Sequence, residues 1–193
     1  MNEKKILIIY NSKRGSTKKY SEWIENGIKS SCDQIGIDCK IERMSIDDAN
    51  LDNLNIYDAV VFGSWLRGSG IVGFETIKPY MDEIKEKVII YCTGISDYNP
   101  KNYEQIAEIN FSDKVDMSAA KLYYCPGAYD PSKVHGIDRF MMWIAKIVVI
   151  KGTVKEDKTA GERMKRIIEE GADLKDEKYA RQVVKGVIDT IKE

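Results

Sequence analysis

The sequence has little of what builds metal sites or disulfide frameworks. Its 193 residues include one histidine and four cysteines, and no two cysteines form a Cys-x-x-Cys pair. Zinc sites use clustered cysteine and histidine ligands, and disulfide-rich domains use closely spaced cysteines. We therefore expect no metal site and no disulfide framework, and the pattern favours reduced thiols. The four cysteines are Cys32, Cys39, Cys92 and Cys125.

Neither sign of charge is in excess. The chain has 30 basic and 31 acidic residues, a net charge of −1, so no overall field favours a nucleic acid partner. Residues 1–5 precede only a short apolar run, which lacks the small-residue cleavage site of a signal peptide. We therefore expect a cytoplasmic protein that does not bind nucleic acid.

A strand, a polar loop and a helix start follow one another near the beginning of the sequence. Residues 6–10 are continuously apolar, which is typical of a strand covered on both faces in a parallel sheet. The loop after it leads into a helix from about Lys18, whose N-terminal amide groups can hold an anion. The alternative is a plain turn with an ordinary helix cap. The candidate phosphate ligands are Ser12, Lys13, Arg14, Gly15, Ser16 and Thr17.

Strand patterns and helix patterns then alternate along the chain, which predicts a parallel α/β sheet with right-handed crossovers in one domain, 1–193. The predicted strands after the first cover 38–46, 57–63, 87–92 and 120–125. The predicted helices cover 18–32, 75–86 (with Pro79 inside the pattern), 101–109, a segment from about 160, and an apolar stripe ending at 191.

The loop after the first strand resembles the flavodoxin phosphate loop, Ser/Thr-x-Thr-Gly-x-Thr. Ser12, Gly15 and Thr17 match that pattern, while Arg14 replaces the central threonine. The resemblance implies a flavodoxin-like, doubly wound, five-stranded parallel sheet of order 2-1-3-4-5. The sequence departs from the minimal flavodoxin pattern by an extra helical segment between strand five and the last helix. The resemblance also implies FMN as the cofactor, bound at the switch point of the sheet.

The loops after the predicted third and fourth strands meet the phosphate loop in such a sheet. Trp65 is a large aromatic residue where stacking on a flat flavin ring would account for it, and the alternative is packing beneath its own loop. Flavodoxins use the next loop for the pyrimidine edge of the ring, so the resemblance places Thr93, Gly94 and Tyr98 there. The candidate ring residues are Ser64, Trp65, Leu66, Arg67, Gly68, Thr93, Gly94, Ile95 and Tyr98.

The sequence does not support either of two other nucleotide-binding motifs. Residues 68–73 satisfy Gly-x-Gly-x-x-Gly, but four residues separate them from the strand and no acidic residue ends the next strand. The sequence contains no Gly-x-x-x-x-Gly-Lys-Ser/Thr, which excludes a P-loop nucleoside triphosphatase. The flavin interpretation is the one that survives.

Residues 137–150 form the extra helical segment, and they are too apolar on all sides for an ordinary surface helix. The segment is also too short and too charged to span a bilayer. One interpretation is a helix buried against the domain or in a homodimer interface. The other is a patch that makes peripheral contact with a membrane or with a hydrophobic substrate.

The chain also resembles the menaquinone-dependent protoporphyrinogen dehydrogenase family. The shared features are the basic Lys13 before Gly-x-Thr and the Asp138-Arg139 pair in an apolar helix. In that family, FMN takes electrons from protoporphyrinogen and passes them to a membrane quinone. The alternatives are a soluble electron carrier that meets a redox partner protein, and a cofactor-free partner-binding module on the same fold.

The charge of the predicted ring loop bears on this choice. It carries Arg67 and no acidic residue, whereas low-potential flavodoxins are usually strongly acidic. A cation favours a group that gains negative charge, so we hypothesise a flavin that is easier to reduce than in a carrier. The alternative is that Arg67 only points to solvent.

Overall fold

The structure is a computed structural model that describes residues 3–96, 100–111, 121–136, 138–140, 142–144, 146–147 and 158–193. The chain divides into two compact units. The first comprises 1–94, 98–126 and 175–193, and the second comprises 95–97 and 127–174. The single domain expected from the sequence stays a prediction.

The first unit contains a parallel sheet of order β2-β1-β3-β5-β6. The order expected for a flavodoxin-like fold, 2-1-3-4-5, is confirmed, since the predicted strands four and five are β5 and β6. The short β4 pairs antiparallel with β3 beside this path. The strands are β1 (Lys4–Tyr10), β2 (Cys39–Ser45), β3 (Ala59–Arg67), β4 (Gly70–Ile71), β5 (Val88–Gly94) and β6 (Lys121–Pro126).

Alternate residues of the central strands face two separate cores. Ile6 and Ile8 of β1 belong to the cluster beneath α1 and α6, while Leu7 and Ile9 belong to the cluster beneath α2, α3 and α4. Because both faces are covered, the strands are apolar throughout and not alternating. The helices of this unit are α1 (Ser16–Ile35), α2 (Phe74–Ile77), α3 (Met81–Ile84), α4 (Pro100–Asn110) and α6 (Glu177–Lys192).

Two of the predicted elements differ from the structure by more than a few residues at an end. The third strand does not end at Gly63 but continues to Arg67, because it pairs first with β5 and then with β4. The helix predicted over 75–86 is broken into α2, a 3-10 turn (Lys78–Tyr80) and α3. Pro79 lacks an N–H group and lies in that turn, so it cannot continue an α-helical hydrogen-bond pattern.

The second unit has its own small core. β7 (Ala128–Tyr129) pairs antiparallel with β8 (Ala172–Asp173), and α5 (Lys158–Glu170) lies between them in sequence. The side chains of Tyr129, Val134 and Ile167 form its buried cluster. The described residues between 136 and 147 are helical, while 137, 141, 145 and 148–150 of the segment predicted over 137–150 lie outside the described residues.

Within the described ranges, we find no helix with both the length and the apolar composition that crossing a bilayer requires.

Candidate functional site

The phosphate loop follows β1 and ends at α1, whose first residue is Ser16, two positions earlier than predicted. Its helix cap is Gly15, at a left-handed φ of 89°, with no atom within 4 Å of where a Cβ would stand. Glycine adopts this conformation without a steric penalty and brings no side-chain oxygen to cap the helix. The position therefore leaves room for an external anion at the positive end of α1.

Charge in this loop also suits an anion. Lys13 and Arg14 are exposed, and the first turn of α1 contains no acidic residue. The Gly15 N–H donates to Ser12 Oγ at 3.2 Å, which bends the loop back on itself. A phosphate monoester therefore fits the residues present, by charge and by the space above Gly15.

Buried hydrogen bonds support the loop from beneath. Thr17 Oγ1 lies 2.9 Å from Thr93 Oγ1, with both side chains almost fully buried, so the start of α1 is joined to the end of β5. Tyr91 lies beneath the same turn and donates its O–H to the Thr17 carbonyl at 2.9 Å. Burial raises the pKa of the Tyr91 phenol well above its usual value. The phenol therefore stays protonated and remains a hydrogen-bond donor to the Thr17 carbonyl.

Gly63 provides the space for Tyr91. The two residues are partners on β3 and β5, and a Cβ on Gly63 would lie 2.0 Å from Tyr91 Cζ. The tyrosine ring therefore crosses the neighbouring strand where that strand has no side chain. Tyr91 was not among the predicted site residues, because a tyrosine in an apolar strand has the pattern of a core residue.

The loop predicted after the third strand is a β-hairpin. Ser64 and Trp65 lie on β3, and the chain turns at Gly68, whose φ is 62°. The Ser64 hydroxyl donates to the Val72 carbonyl, and Asn11 Nδ2 donates to the same oxygen at 3.1 Å. The hairpin is thus tied to the phosphate loop through Asn11, a residue that sequence analysis did not single out.

Trp65 is half-buried, and two cations lie close to its indole ring. The Arg67 guanidinium is 5.1 Å from the indole centroid and Lys13 Nζ is 5.4 Å from it, both within cation–π range. Lys13 comes from the phosphate loop and Arg67 from the hairpin, so the structure brings together residues from two of the predicted loops. Leu66, their neighbour, packs half-buried against the second core of the first unit.

The third predicted loop begins with Thr93 and Gly94 at the end of β5. A Cβ on Gly94 would lie 2.7 Å from Tyr124 Oη, so the close approach of that phenol requires glycine. Ile95 belongs to the second unit, where it packs half-buried against the Tyr129 cluster. Tyr98 lies outside the residues that the structure describes.

The flavodoxin domain family matches residues 7–158 of the chain. Among solved structures, a Megasphaera elsdenii flavodoxin is 19% identical with a TM-score of 0.42, over 62% of this chain and 82% of that one. A Corynebacterium diphtheriae oxidoreductase is 10% identical with a TM-score of 0.48, over 97% and 98%. A WrbA-like flavodoxin from Agrobacterium tumefaciens is 11% identical with a TM-score of 0.39, over 72% and 90%. No curated protein matches the sequence.

Proposed function

We propose that this chain, which belongs to the flavodoxin domain family and has FMN as its cofactor, is an FMN-dependent oxidoreductase. The proposed reaction is the oxidation of a hydrophobic substrate such as protoporphyrinogen, with a quinone as the electron acceptor. When bound, FMN accepts one or two electrons and gains negative charge on reduction. The protein supplies the binding groups, the electrostatic environment and the surface where substrate and acceptor arrive.

The phosphate loop would hold the phosphate group of the cofactor. Gly15 leaves the helix end open, and Lys13 and Arg14 bring positive charge to it. Trp65 and the loop beginning at Thr93 would lie along the ring, as the sequence resemblance implies. The candidate residues that contact FMN through side chain or backbone are Ser12, Lys13, Arg14, Gly15, Ser16, Thr17, Ser64, Trp65, Leu66, Arg67, Gly68, Thr93, Gly94, Ile95 and Tyr98.

The observation that carries the proposal is the pair of cations on Trp65. Lys13 and Arg67 bring two positive charges to one indole, and residues 11–17 and 64–70 include no acidic side chain. A positive environment stabilises negative charge gained on reduction, so it raises the reduction potential. A raised potential suits an enzyme that withdraws electrons from a substrate better than it suits a low-potential carrier.

Support for a hydrophobic substrate or acceptor comes from the aromatic stripe, which we define as Phe140, Trp143 and Ile147. Their exposed fractions are 59%, 59% and 39%, and the two aromatic rings are stacked with centroids 6.1 Å apart. The spacing places all three on one side of a helix, while Met142 packs against the Tyr129 cluster. Exposed apolar groups of this size beside the exposed Arg139 suit peripheral contact with a membrane surface, where quinones dissolve.

An assay of electron transfer by the purified, FMN-loaded protein tests the enzyme proposal. We expect oxidation of protoporphyrinogen that depends on an added quinone and continues over many turnovers without oxygen. A protein that exchanges electrons readily with a redox protein, but does not turn over protoporphyrinogen or another hydrophobic donor, would instead be the soluble electron carrier. The cofactor-free module would require that the protein retain no FMN.

Co-sedimentation with anionic lipid vesicles tests the aromatic stripe. We expect the wild type to bind, and the double variant Phe140→Ser/Trp143→Ser to lose most binding while its helical circular dichroism is unchanged. Ile56→Ser is the control, because Ile56 is equally exposed, at 55%, but lies outside the stripe. If the wild type does not bind vesicles but sediments as a dimer, and the double variant sediments as a monomer, the stripe is instead a homodimer interface.

A further inference from the structure

Two cysteines are in contact away from the proposed cofactor site. Cys32 lies in the last turns of α1, and Cys39 is the first residue of β2, seven positions later. The chain reverses between them at Gly36, with a φ of 70°, and the Ile37 N–H donates to the Cys32 carbonyl at 3.0 Å. This reversal brings the two side chains together, with Cys32 inside the core cluster beneath α1 and Cys39 packed against the same cluster.

Their accessibilities differ in a way that suits stepwise chemistry. The Cys32 side chain is 1% exposed, whereas Cys39 is half-buried on β2, an edge strand of the sheet. Residues 33–36, which lie between the two cysteines in the sequence, are exposed. A small reagent can therefore reach Cys39 first, with Cys32 positioned behind it.

The other two cysteines provide a contrast. Cys92 and Cys125 are fully buried, and they face opposite sides of the sheet, since they belong to different core clusters. Burial raises the pKa of the Cys92 thiol to about 12 and that of Cys125 well above its usual value. Neither is accessible to a reagent in the folded protein, and they cannot pair with each other.

We propose that Cys32 and Cys39 form a reversible intrachain disulfide, a modification site at the end of α1 opposite the phosphate loop. The oxidant is a small-molecule disulfide. The Cys39 thiolate attacks one of its sulfurs, forms a mixed disulfide and releases one small thiol. The Cys32 thiolate then attacks the Cys39 sulfur and displaces the second small thiol. The protein loses two electrons and two protons, which convert the small disulfide into two thiols.

The second step limits the rate. Burial is the largest cause of the raised pKa of the Cys32 thiol, and it persists when Cys39 carries the mixed disulfide, so little of the reactive thiolate is present at neutral pH. We therefore expect the mixed disulfide on Cys39 to accumulate briefly before it resolves. We expect resolution to speed up as pH rises, because the thiolate fraction of Cys32 grows.

Oxidised glutathione is the probe, applied to the full folded chain and followed by intact mass under non-reducing conditions. We expect a transient gain of one glutathione, then a final mass lower than the starting mass by two hydrogen atoms. Two of the four thiols should become resistant to alkylation, and peptide mapping should join Cys32 to Cys39. Dithiothreitol should restore the starting mass, and FMN retention should not change.

Single variants assign the steps. Cys32→Ser should stop at a stable mixed disulfide, Cys39→Ser should stay unmodified, and Cys92→Ser should oxidise like the wild type. Circular dichroism confirms that each variant is folded. The proposal is overturned if the wild type keeps the glutathione adduct as Cys32→Ser does, or if all four thiols of the folded wild type stay reduced. Alkylation of the denatured chain shows that the four thiols were present.

Discussion

The phosphate loop and the β3–β4 hairpin lie side by side in the first unit, yet they are built differently. The phosphate loop is supported by buried groups, chiefly the Thr17–Thr93 contact and the hydrogen bond from Tyr91. The hairpin instead places the half-buried Trp65 beside the exposed cations of Lys13 and Arg67. The fold therefore determines where the predicted anion would be held, while exposed side chains would determine the charge around the ring.

The interactions that support the phosphate loop and those that surround Trp65 differ in how much they contribute to the free energy of folding. Each buried hydrogen bond beneath the loop contributes about 0.5–1.5 kcal/mol, and leaving one partner unpaired costs about 1–3 kcal/mol. An exposed cation–π contact contributes about 0.5–1 kcal/mol. Substitutions beneath the phosphate loop should therefore change stability and cofactor binding together. Substitutions in the hairpin should change the electrostatics with little effect on folding.

Gly63→Ala should have the largest effect on folding. The added methyl group would lie 2.0 Å from Tyr91 Cζ, and both residues are held in central strands. Overpacking of this kind costs about 1–3 kcal/mol or more, and displacing Tyr91 also removes support from the phosphate loop. Urea denaturation should show the loss of stability, and FMN titration should show weaker binding.

Gly70→Ala is the control for this substitution. Gly70 lies in the same hairpin, and the nearest atom to its Cβ would be the Arg67 carbonyl oxygen at 3.6 Å, an ordinary contact. Its stability should stay close to that of the wild type. If Gly63→Ala also keeps a stability close to that of the wild type, the sheet tolerates a methyl group at Gly63 and Tyr91 is not tightly packed against it.

Gly15→Val should separate cofactor binding from stability. Gly15 at the start of α1 and Gly36 at its end both have left-handed φ values, 89° and 70°, and both have open space around a Cβ. Valine at either position should cost about 1–3 kcal/mol of backbone strain. Only Gly15→Val should also weaken FMN binding, by about tenfold or more, which corresponds to 1.4 kcal/mol.

Desalting after FMN addition, followed by absorption spectroscopy, measures this difference. Gly36→Val should retain a flavin spectrum and Gly15→Val should lose it. Loss in both variants, or in neither, would contradict the assignment of the phosphate loop.

Much of the first unit could be predicted because its signals are local. The apolar run of residues 6–10 indicates a strand buried on both faces, and the order of the parallel strands follows the flavodoxin-like pattern. A phosphate loop could be proposed from the sequence because Gly15 and its neighbouring hydroxyls and cations are consecutive, and its binding of phosphate stays a prediction. The assignment of individual residues to FMN contacts stays a prediction.

The structural features that could not be predicted from the sequence depend on contacts between residues that are distant in the chain. The third strand extends to Arg67 because it finds pairing partners in β4 and β5, which its own sequence does not indicate. Tyr91 reaches beneath Thr17 only because Gly63 leaves space for its ring. Asn11 contributes through its hydrogen bond to the carbonyl oxygen of Val72, 61 residues away in the sequence. The contact of Cys32 with Cys39 likewise depends on the reversal at Gly36. Patterns of spacing carry no information of this kind.

Tyr91→Phe should have a smaller effect than either glycine substitution. It removes the O–H that donates to the Thr17 carbonyl and leaves the ring in place, so stability should fall by about 0.5–1.5 kcal/mol. FMN binding should weaken by a few-fold, since the first turn of α1 loses one of its supports. Isothermal titration of FMN and urea denaturation measure the two effects.

Tyr103→Phe is the matched control for Tyr91→Phe. Its hydroxyl also donates to a backbone carbonyl, that of Leu122, at 2.8 Å, but beneath the other face of the sheet. A similar loss of stability with unchanged FMN affinity is expected. If both variants bind FMN equally well, Tyr91 supports the fold and not the site.

Arg67→Gln should have the smallest effect, and it acts on the hairpin alone. Arg67 is exposed, so solvent screens its charge, and its loss should lower the flavin potential by about 10–20 mV, equivalent to about 0.5–1 kcal/mol for two electrons. Stability should not change measurably. Lys40→Gln removes a cation of similar exposure on β2 and should leave the potential unchanged. A wild-type potential as low as that of flavodoxins, unaffected by Arg67→Gln, would remove the electrostatic support for an enzyme and favour the electron carrier.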